Sequence, residues 1–341
     1  MDGKSWENLE DPDLLKLRLK DLKLSLENES LVNCILRVQK ELSDRGLKLN
    51  PYYYLGDEWF SPEGEVAISI PFFLAHPRLR RLEKTFMLEC EGDSEDEFLL
   101  LLRHELGHVF EHAFKVSRRK KWKKLFGSNS KPYHPENYRS RPYSKNFVHN
   151  IANDYAQAHP DEDFSETFAV WLNPDSNWKE AYRGWGALKK LEYIEELAHE
   201  FKGIPKEGKK QRMPFEIRNL SSSLERYYLK KKKLAEVESP TFFDQDLHFV
   251  FSGTDPADEK LESALKFLKR NRRQVVESVS FWTREKKYVI DQLYSRLVFR
   301  AKDLGLARTR SDFDTLRDLM AWLASAVTNY RFSGKWARRI S

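Results

Sequence analysis

The stretch Phe98-Leu-Leu-Leu-Leu-Arg103-His104-Glu105-Leu-Gly107-His108-Val-Phe110 decides how this chain is read. It holds His-Glu-x-x-His inside a long apolar run. On an α-helix, residues four apart share a face about one turn apart. His104 and His108 can therefore offer two imidazole nitrogens to one ion, with Glu105 beside them in reach of a water on that ion. This is the zinc-hydrolase arrangement of two ligands and a general base. Ser94-Glu-Asp-Glu97 reads as a capping box that starts the helix. Phe98 to Leu102, Leu106, Val109, Phe110, Ala113 and Phe114 are apolar around most of its girth, so the helix is expected to be buried. Two histidines and a glutamate are costly in such a place without partners, which argues against solvated surface histidines.

Composition sets the bounds. The chain has 341 residues, 40% hydrophobic and 13% aromatic, enough for a sizeable core in two or three domains. No run reaches the length of a membrane span, so no membrane partner is expected. Met1-Asp-Gly-Lys-Ser-Trp6 has no basic segment leading into an apolar one, and a cytoplasmic protein is expected. Two cysteines, Cys34 and Cys90, without CxxC spacing exclude a disulfide framework and a cysteine zinc site. The net charge of +6 gathers at Arg78–Lys84, Arg118–Lys124, Lys202–Arg212 and Lys230–Lys233. These clusters would give a weak nucleic-acid contact. Acidic residues interspersed among them favour solvated helix faces instead.

Along the chain, residues 11–46 read as helices broken at Asn28-Glu-Ser30, with Gly46 as the stop. Pro51–Gly56 and Val66–Ala75 read as strands about the turn Ser61-Pro-Glu-Gly64, a small antiparallel sheet. Such a strand would either hold a substrate backbone by β-addition or cover the helix. Arg118–Ser144 reads as a long basic, Pro-rich loop. Residues 202–214 read as a linker, followed by a helix near 215–236 and an irregular stretch from Pro240 to Pro256. Beyond Asp258 the pattern is helical to about Trp336, three helices with breaks near Trp282-Thr283 and Leu306–Asp312. The expected class is α+β, mainly helical. Its parts would be an N-terminal helical segment (1–50), a zincin-like catalytic core (51–201), a linker and helix (202–256) and a C-terminal helical region (257–341).

A catalytic zinc takes three protein ligands and keeps one position for water. His112 extends the ladder of His104 and His108, but eight residues of helix span about 12 Å. Donor atoms on one ion lie about 3 to 4 Å apart, so all three histidines cannot share it. The HExxHxxGxxH pattern also fails after His108. The better source is His159-Pro-Asp-Glu162-Asp163-Phe-Ser-Glu166-Thr-Phe-Ala-Val-Trp-Leu172, where Pro160 suits a helix start. Glu162 and Glu166 share one helical face there, and Phe164, Phe168 and Leu172 another. A helix-dipole preference explains Asp161 to Asp163 but not Glu166 in an apolar run.

That Glu-x-x-x-acid helix resembles the second helix of gluzincins of the thermolysin type. The match implies Glu162 as third ligand and Glu166 as the group that accepts the N–H of a ligand histidine. Asp163 and Glu166 stay open as the ligand. HELGH, Arg141-Pro-Tyr-Ser144 and Tyr155–Leu172, with Asp57-Glu-Trp-Phe-Ser-Pro62 and Ile70–Pro77, together resemble a bacterial family of zinc-binding metallopeptidases over roughly residues 10–250. The resemblance implies a Zn2+-dependent hydrolase acting on a peptide or protein substrate, with Glu105 as general base. Tyr155 is the leading candidate to donate to the oxyanion, with Tyr143, His149 and His159 as rivals. The other classes open to the sequence are a nucleic-acid-associated protein, whose binding would fall with salt, and a regulatory protein whose zinc is structural.

Overall fold

The computed structural model describes residues 6–130, 138, 141, 143–234, 243–253 and 261–333. Helices dominate. The chain forms two compact units: one holds the residues up to Phe86 and Cys90–Tyr228, the other Met87–Glu89 and the described residues from Leu229 onward.

In the first unit the chain begins with a one-turn helix α1 (Asp11–Leu14) and then α2 (Glu29–Asp44). Asn28 caps α2 by accepting the Leu31 amide, and Gly46, at φ 80°, carries the chain out of it. Strands β1 (Lys48–Asn50), β2 (Tyr52–Gly56) and β3 (Ala67–Pro71) follow, then α3 (Pro77–Met87) and α4 (Glu95–Phe114). Ser94 caps α4 by accepting the Glu97 amide at 3.2 Å. Next come α5 (Lys120–Phe126), α6 (Pro160–Leu172), α7 (Trp178–Ala181), α8 (Gly186–Glu200), β4 (Pro205–Glu207) and α9 (Leu224–Leu234), whose residues from Leu229 onward belong to the second unit.

The sheet departs from the expected antiparallel pair. β2 and β3 run parallel, with Tyr52 opposite Ala67 and Gly56 opposite Pro71, and β1 pairs parallel with β4. The reason is a double reversal between β2 and β3. After Gly56 the chain turns back so that Phe60 lies antiparallel to Ser69, whose amide donates to the Phe60 carbonyl at 2.8 Å. It then turns again at Pro62–Glu65, where Gly64 takes φ 79°. Every residue of β3 is buried, and Val66–Ala75 is strand only to Pro71, since Phe72–Ala75 is a 3-10 turn. The basic run Arg118–Lys124 also differs from the expected loop, because Lys120–Phe126 is helical. Trp122 and Phe126, four apart, pack against Phe164 at ring-centroid distances of 6.1 and 5.3 Å. One apolar pair at helical spacing outweighs the charge around it.

The core centres on α4 against α6. Phe110 meets Phe168 at 5.1 Å and Phe164 at 6.4 Å. The helices touch where Gly107 meets Ser165. A Cβ at Gly107 would stand 2.6 Å from Ser165 Cα, so only glycine permits this approach. Behind α4, Arg103 donates to both oxygens of Glu41 on α2 at 2.8 and 2.7 Å, both side chains being buried.

The second unit is a helical bundle of α10 (Phe243–Val250), α11 (Ala264–Thr283), α12 (Lys287–Asp303) and α13 (Asp312–Ser333). The two-residue strands β5 (Ser252–Gly253) and β6 (Leu306–Ala307) pair antiparallel. Its core is built from Phe251, Phe267, Val275, Ile290, Tyr294 and Leu323, among others. The breaks after Thr283 and around Leu306–Ser311 fall where the sequence placed them, whereas α10 forms inside the stretch read as irregular. The expectations for residues 131–137, 235–242 and 254–260, and for Trp336, lie outside the described residues. Among the described residues no helix is long and apolar enough to cross a membrane.

Candidate metal centre

The α4–α6 crossing brings four candidate side chains together by a simple register. His104 and His108 stand three residues before and one after Gly107. Glu162 and Glu166 stand at the same offsets from Ser165. His104 Nε2 and His108 Nε2 are 3.1 Å apart, and Glu162 Oε2 lies 3.1 Å from the first and 3.4 Å from the second. Atoms bonded to zinc at about 2.0–2.1 Å in a tetrahedron sit about 3.4 Å from one another. The three atoms thus mark three corners of such a polyhedron. Among the described residues this is the one group of three or more His, Cys, Asp or Glu side chains whose donor atoms converge in this way.

The hydrogen bonding explains why the convergence calls for a cation. His104 Nδ1 lies 2.7 Å from Glu166 Oε1, a bond that places the proton on Nδ1 and turns the Nε2 lone pair toward Glu162. Glu162 Oε2 is buried and no donor reaches it in hydrogen-bonding geometry. Lone pairs and a carboxylate oxygen meeting at about 3 Å in a dry site repel unless a positive charge sits among them. The residues present therefore fit a zinc ion. Burial opposes ionisation of Glu162, yet His108 and His104 hold its carboxyl well below the usual range. Burial likewise opposes charging His104, and Glu162 and Glu166 outweigh it, holding its pKa well above the ordinary imidazole value; the positive charge the group calls for is supplied by a proton on Nε2 until a zinc ion displaces it.

Glu166 is 0% exposed and its oxygens are occupied: Oε1 accepts from His104 Nδ1 and from Asn150 Nδ2 at 2.8 Å, and Oε2 from the Ile151 amide at 2.7 Å. Asp163 points elsewhere, to Lys190 Nζ at 2.6 Å, which also donates to the Asn146 carbonyl at 2.6 Å. Burial pushes the Asp163 carboxyl up to about 7 against the pull of Lys190. Neither oxygen pair joins the two histidine nitrogens. His112 also stays out of the group; its ring stacks on His108 at 6.4 Å.

Glu105 occupies the adjoining face of α4. Ser61 Oγ lies 2.7 Å from Glu105 Oε2 and 3.1 Å from the carbonyl of the same residue. Tyr155 sits in the 3-10 segment Ala152–Gln157, its ring 5.8 Å from that of His104. Its rivals are placed differently. His159 caps α6 by accepting the Asp161 amide at 3.2 Å, the His149 ring stands 5.5 Å from Trp185, and Tyr143 is 94% exposed.

Three residues escaped sequence reasoning. Ser61 lay within the quoted Asp57–Pro62 stretch, the signal that could have found it. Asn150 and Lys190 reach α6 from other segments, and no local pattern marks them.

Residues 95–204 match a family described as "Putative zinc-binding metallo-peptidase". The matched span runs from α4 through α8, shorter than the residues 10–250 over which the motifs suggested a resemblance, and it contains both helices that carry the candidate ligands. Neither a curated protein nor a solved structure matches the chain.

Proposed function

We propose that this chain is a zinc-dependent metallopeptidase of the gluzincin type, hydrolysing peptide bonds in a peptide or protein substrate. The observation that carries the reading is the convergence of His104 Nε2, His108 Nε2 and Glu162 Oε2 within 3.1–3.4 Å, with no donor for the carboxylate oxygen. These three residues would hold the ion, and Glu166 would keep His104 in the tautomer that can bind it. Zinc bound there would act as a Lewis acid and lower the pKa of a water to near neutrality. Glu105, oriented by Ser61, takes the proton from the attacking water and delivers it to the leaving amine. Tyr155, beside His104, donates to the oxygen on which negative charge develops. A structural zinc would call for a fourth protein ligand, and the described residues supply a group of three.

The test pairs elemental analysis with cleavage of a mixed peptide library. Wild type is expected to carry about one zinc per chain, Glu162→Ala to lose most of it, and Glu105→Gln to keep the metal while losing cleavage. Wild type without zinc after supplementation refutes the metal site. Zinc retained by Glu162→Ala refutes the ligand set, and cleavage by Glu105→Gln refutes the general base.

A further inference from the structure

The second unit carries two exposed aromatic residues side by side at the turn between α11 and α12. α11 ends at Thr283, Arg284 adopts a left-handed conformation at φ 60°, and the chain turns into α12. The last two aromatic side chains before the turn, Phe281 and Trp282, are 59% and 77% exposed. Their ring centroids are 5.3 Å apart and their planes stand at 87°. Cations adjoin the pair along the chain and at the turn. The Arg284 guanidinium lies 5.3 Å from the Phe281 ring, and Lys286 and Lys287 follow in the turn. Lys232 lies 5.9 Å over Tyr288, and Arg331 donates to the Thr283 carbonyl at 2.9 Å. Among the described residues the acids beside the turn are Glu285 and Glu277, and Glu277 is paired with Arg273 at 2.9 Å and also faces Lys287. Positive charge is in excess.

We infer that this tip is a peripheral anchor that seats on an anionic lipid bilayer. Phe281 and Trp282 enter the boundary between headgroups and acyl chains, and the cations around them meet lipid phosphates. Exposed tryptophan and phenylalanine framed by lysine and arginine are the composition that settles at that boundary. Charge selects this occupant over a second copy of the chain, because two identical tips would bring their cations face to face. Ring geometry selects it over single-stranded nucleic acid. Successive bases stack on aromatic faces presented in series along a charged groove, and perpendicular rings cannot offer two parallel faces. A bilayer asks for apolar area and a positive rim, without a fixed ring orientation. The anchor lies on the membrane and does not cross it, since among the described residues no helix is long and apolar enough to span a bilayer.

The experiment is flotation of the full chain with phosphatidylcholine vesicles and with vesicles that also contain phosphatidylglycerol, at low and high salt. Binding is expected with the anionic vesicles alone, weakening as salt rises. Phe281→Ala with Trp282→Ala should reduce it by about tenfold or more, and Lys286→Gln with Lys287→Gln should weaken it at low salt. The replaced side chains are surface groups, and an unchanged circular-dichroism spectrum will show that the variants fold. Absence of binding to the anionic vesicles overturns the inference, as does equal binding by wild type and the aromatic double variant. So does a dimer that the double variant dissociates, or an oligonucleotide that binds the tip where vesicles do not.

Discussion

Replacing Gly107 by alanine is the sharpest probe of the helix crossing that forms the metal centre. Two effects of opposite sign meet there. Alanine in a helix interior is favoured over glycine by about 1 kcal/mol. Yet the new Cβ would stand 2.6 Å from Ser165 Cα and 3.0 Å from Ser165 Cβ and O. The obstacle is backbone in the middle of α6, which no rotamer change relieves. Reaching the 3.4 Å at which ordinary contact begins requires about 0.8 Å of separation between α4 and α6. Overpacking of this kind costs about 1–3 kcal/mol, so after the alanine gain a net loss of up to about 2 kcal/mol is expected. The same movement carries His104 and His108 away from Glu162. Their spacings of 3.1 and 3.4 Å would stretch toward about 4 Å, beyond the tetrahedral edge. Zinc affinity should fall by about 10–100-fold, as when a ligand's support is removed. Thermal unfolding of the metal-free protein and zinc competition with a chelator measure the two quantities separately. An alanine variant that melts higher than wild type and binds zinc equally well would refute the crossing as the device that sets the ligand spacing.

Three further outcomes are expected. Glu166→Gln leaves the His104 N–H without its carboxylate and should weaken zinc binding by about 10–100-fold, with chelator competition as the assay; unchanged affinity would mean that His104 is oriented otherwise. Arg103→Ala leaves the buried Glu41, among the described residues, with only Arg37, 3.5 Å away, and should destabilise by near the lower end of the ~3–5 kcal/mol seen for broken buried pairs; Arg103→Met combined with Glu41→Leu should recover most of it in denaturant titrations. Glu262, bonded to Arg270 and Arg308, has its carboxyl lowered from 4.5 to about 2. A lowered carboxylate contributes stability above its unfolded pKa and loses it as pH falls toward the folded one. The second unit should therefore lose stability as pH drops from 4.5 to about 2, less steeply in Glu262→Gln and in high salt; a variant with the wild-type acid profile would remove Glu262 as the cause.

Local patterns were legible because they depend on near neighbours in sequence. The i, i+4 spacing of His104 and His108, the cap at Ser94, and Pro160 at the start of α6 each follow from a few residues, and so do the breaks between the last three helices. Non-local features were not. Nothing in residues 51–75 announces that Trp59–Ser61 folds back and leaves β3 parallel to β2, since the hydrophobic alternation is the same for either pairing. The charges of Arg118–Lys124 hid a helix whose structural content is two aromatic residues. Glu162, Asp163 and Glu166 could not be told apart from their spacing alone. Their environments differ because Lys190, Asn150 and Ile151 arrive from segments distant in sequence and engage two of the three carboxylates.

The contacts that fasten α4 and α6 include Arg103 with Glu41 of α2, Asp163 with Lys190 of α8, and the rings of Phe110, Phe164 and Phe168. None of these contacts runs through His104, His108 or Glu162. Small zinc domains order only when loaded, because the metal supplies their folding energy. Here a chelated chain should remain folded and accept a different divalent ion without passing through a disordered state. Cobalt, which favours the same donors, could then be exchanged in, and its visible absorption would report the coordination number directly on the intact protein.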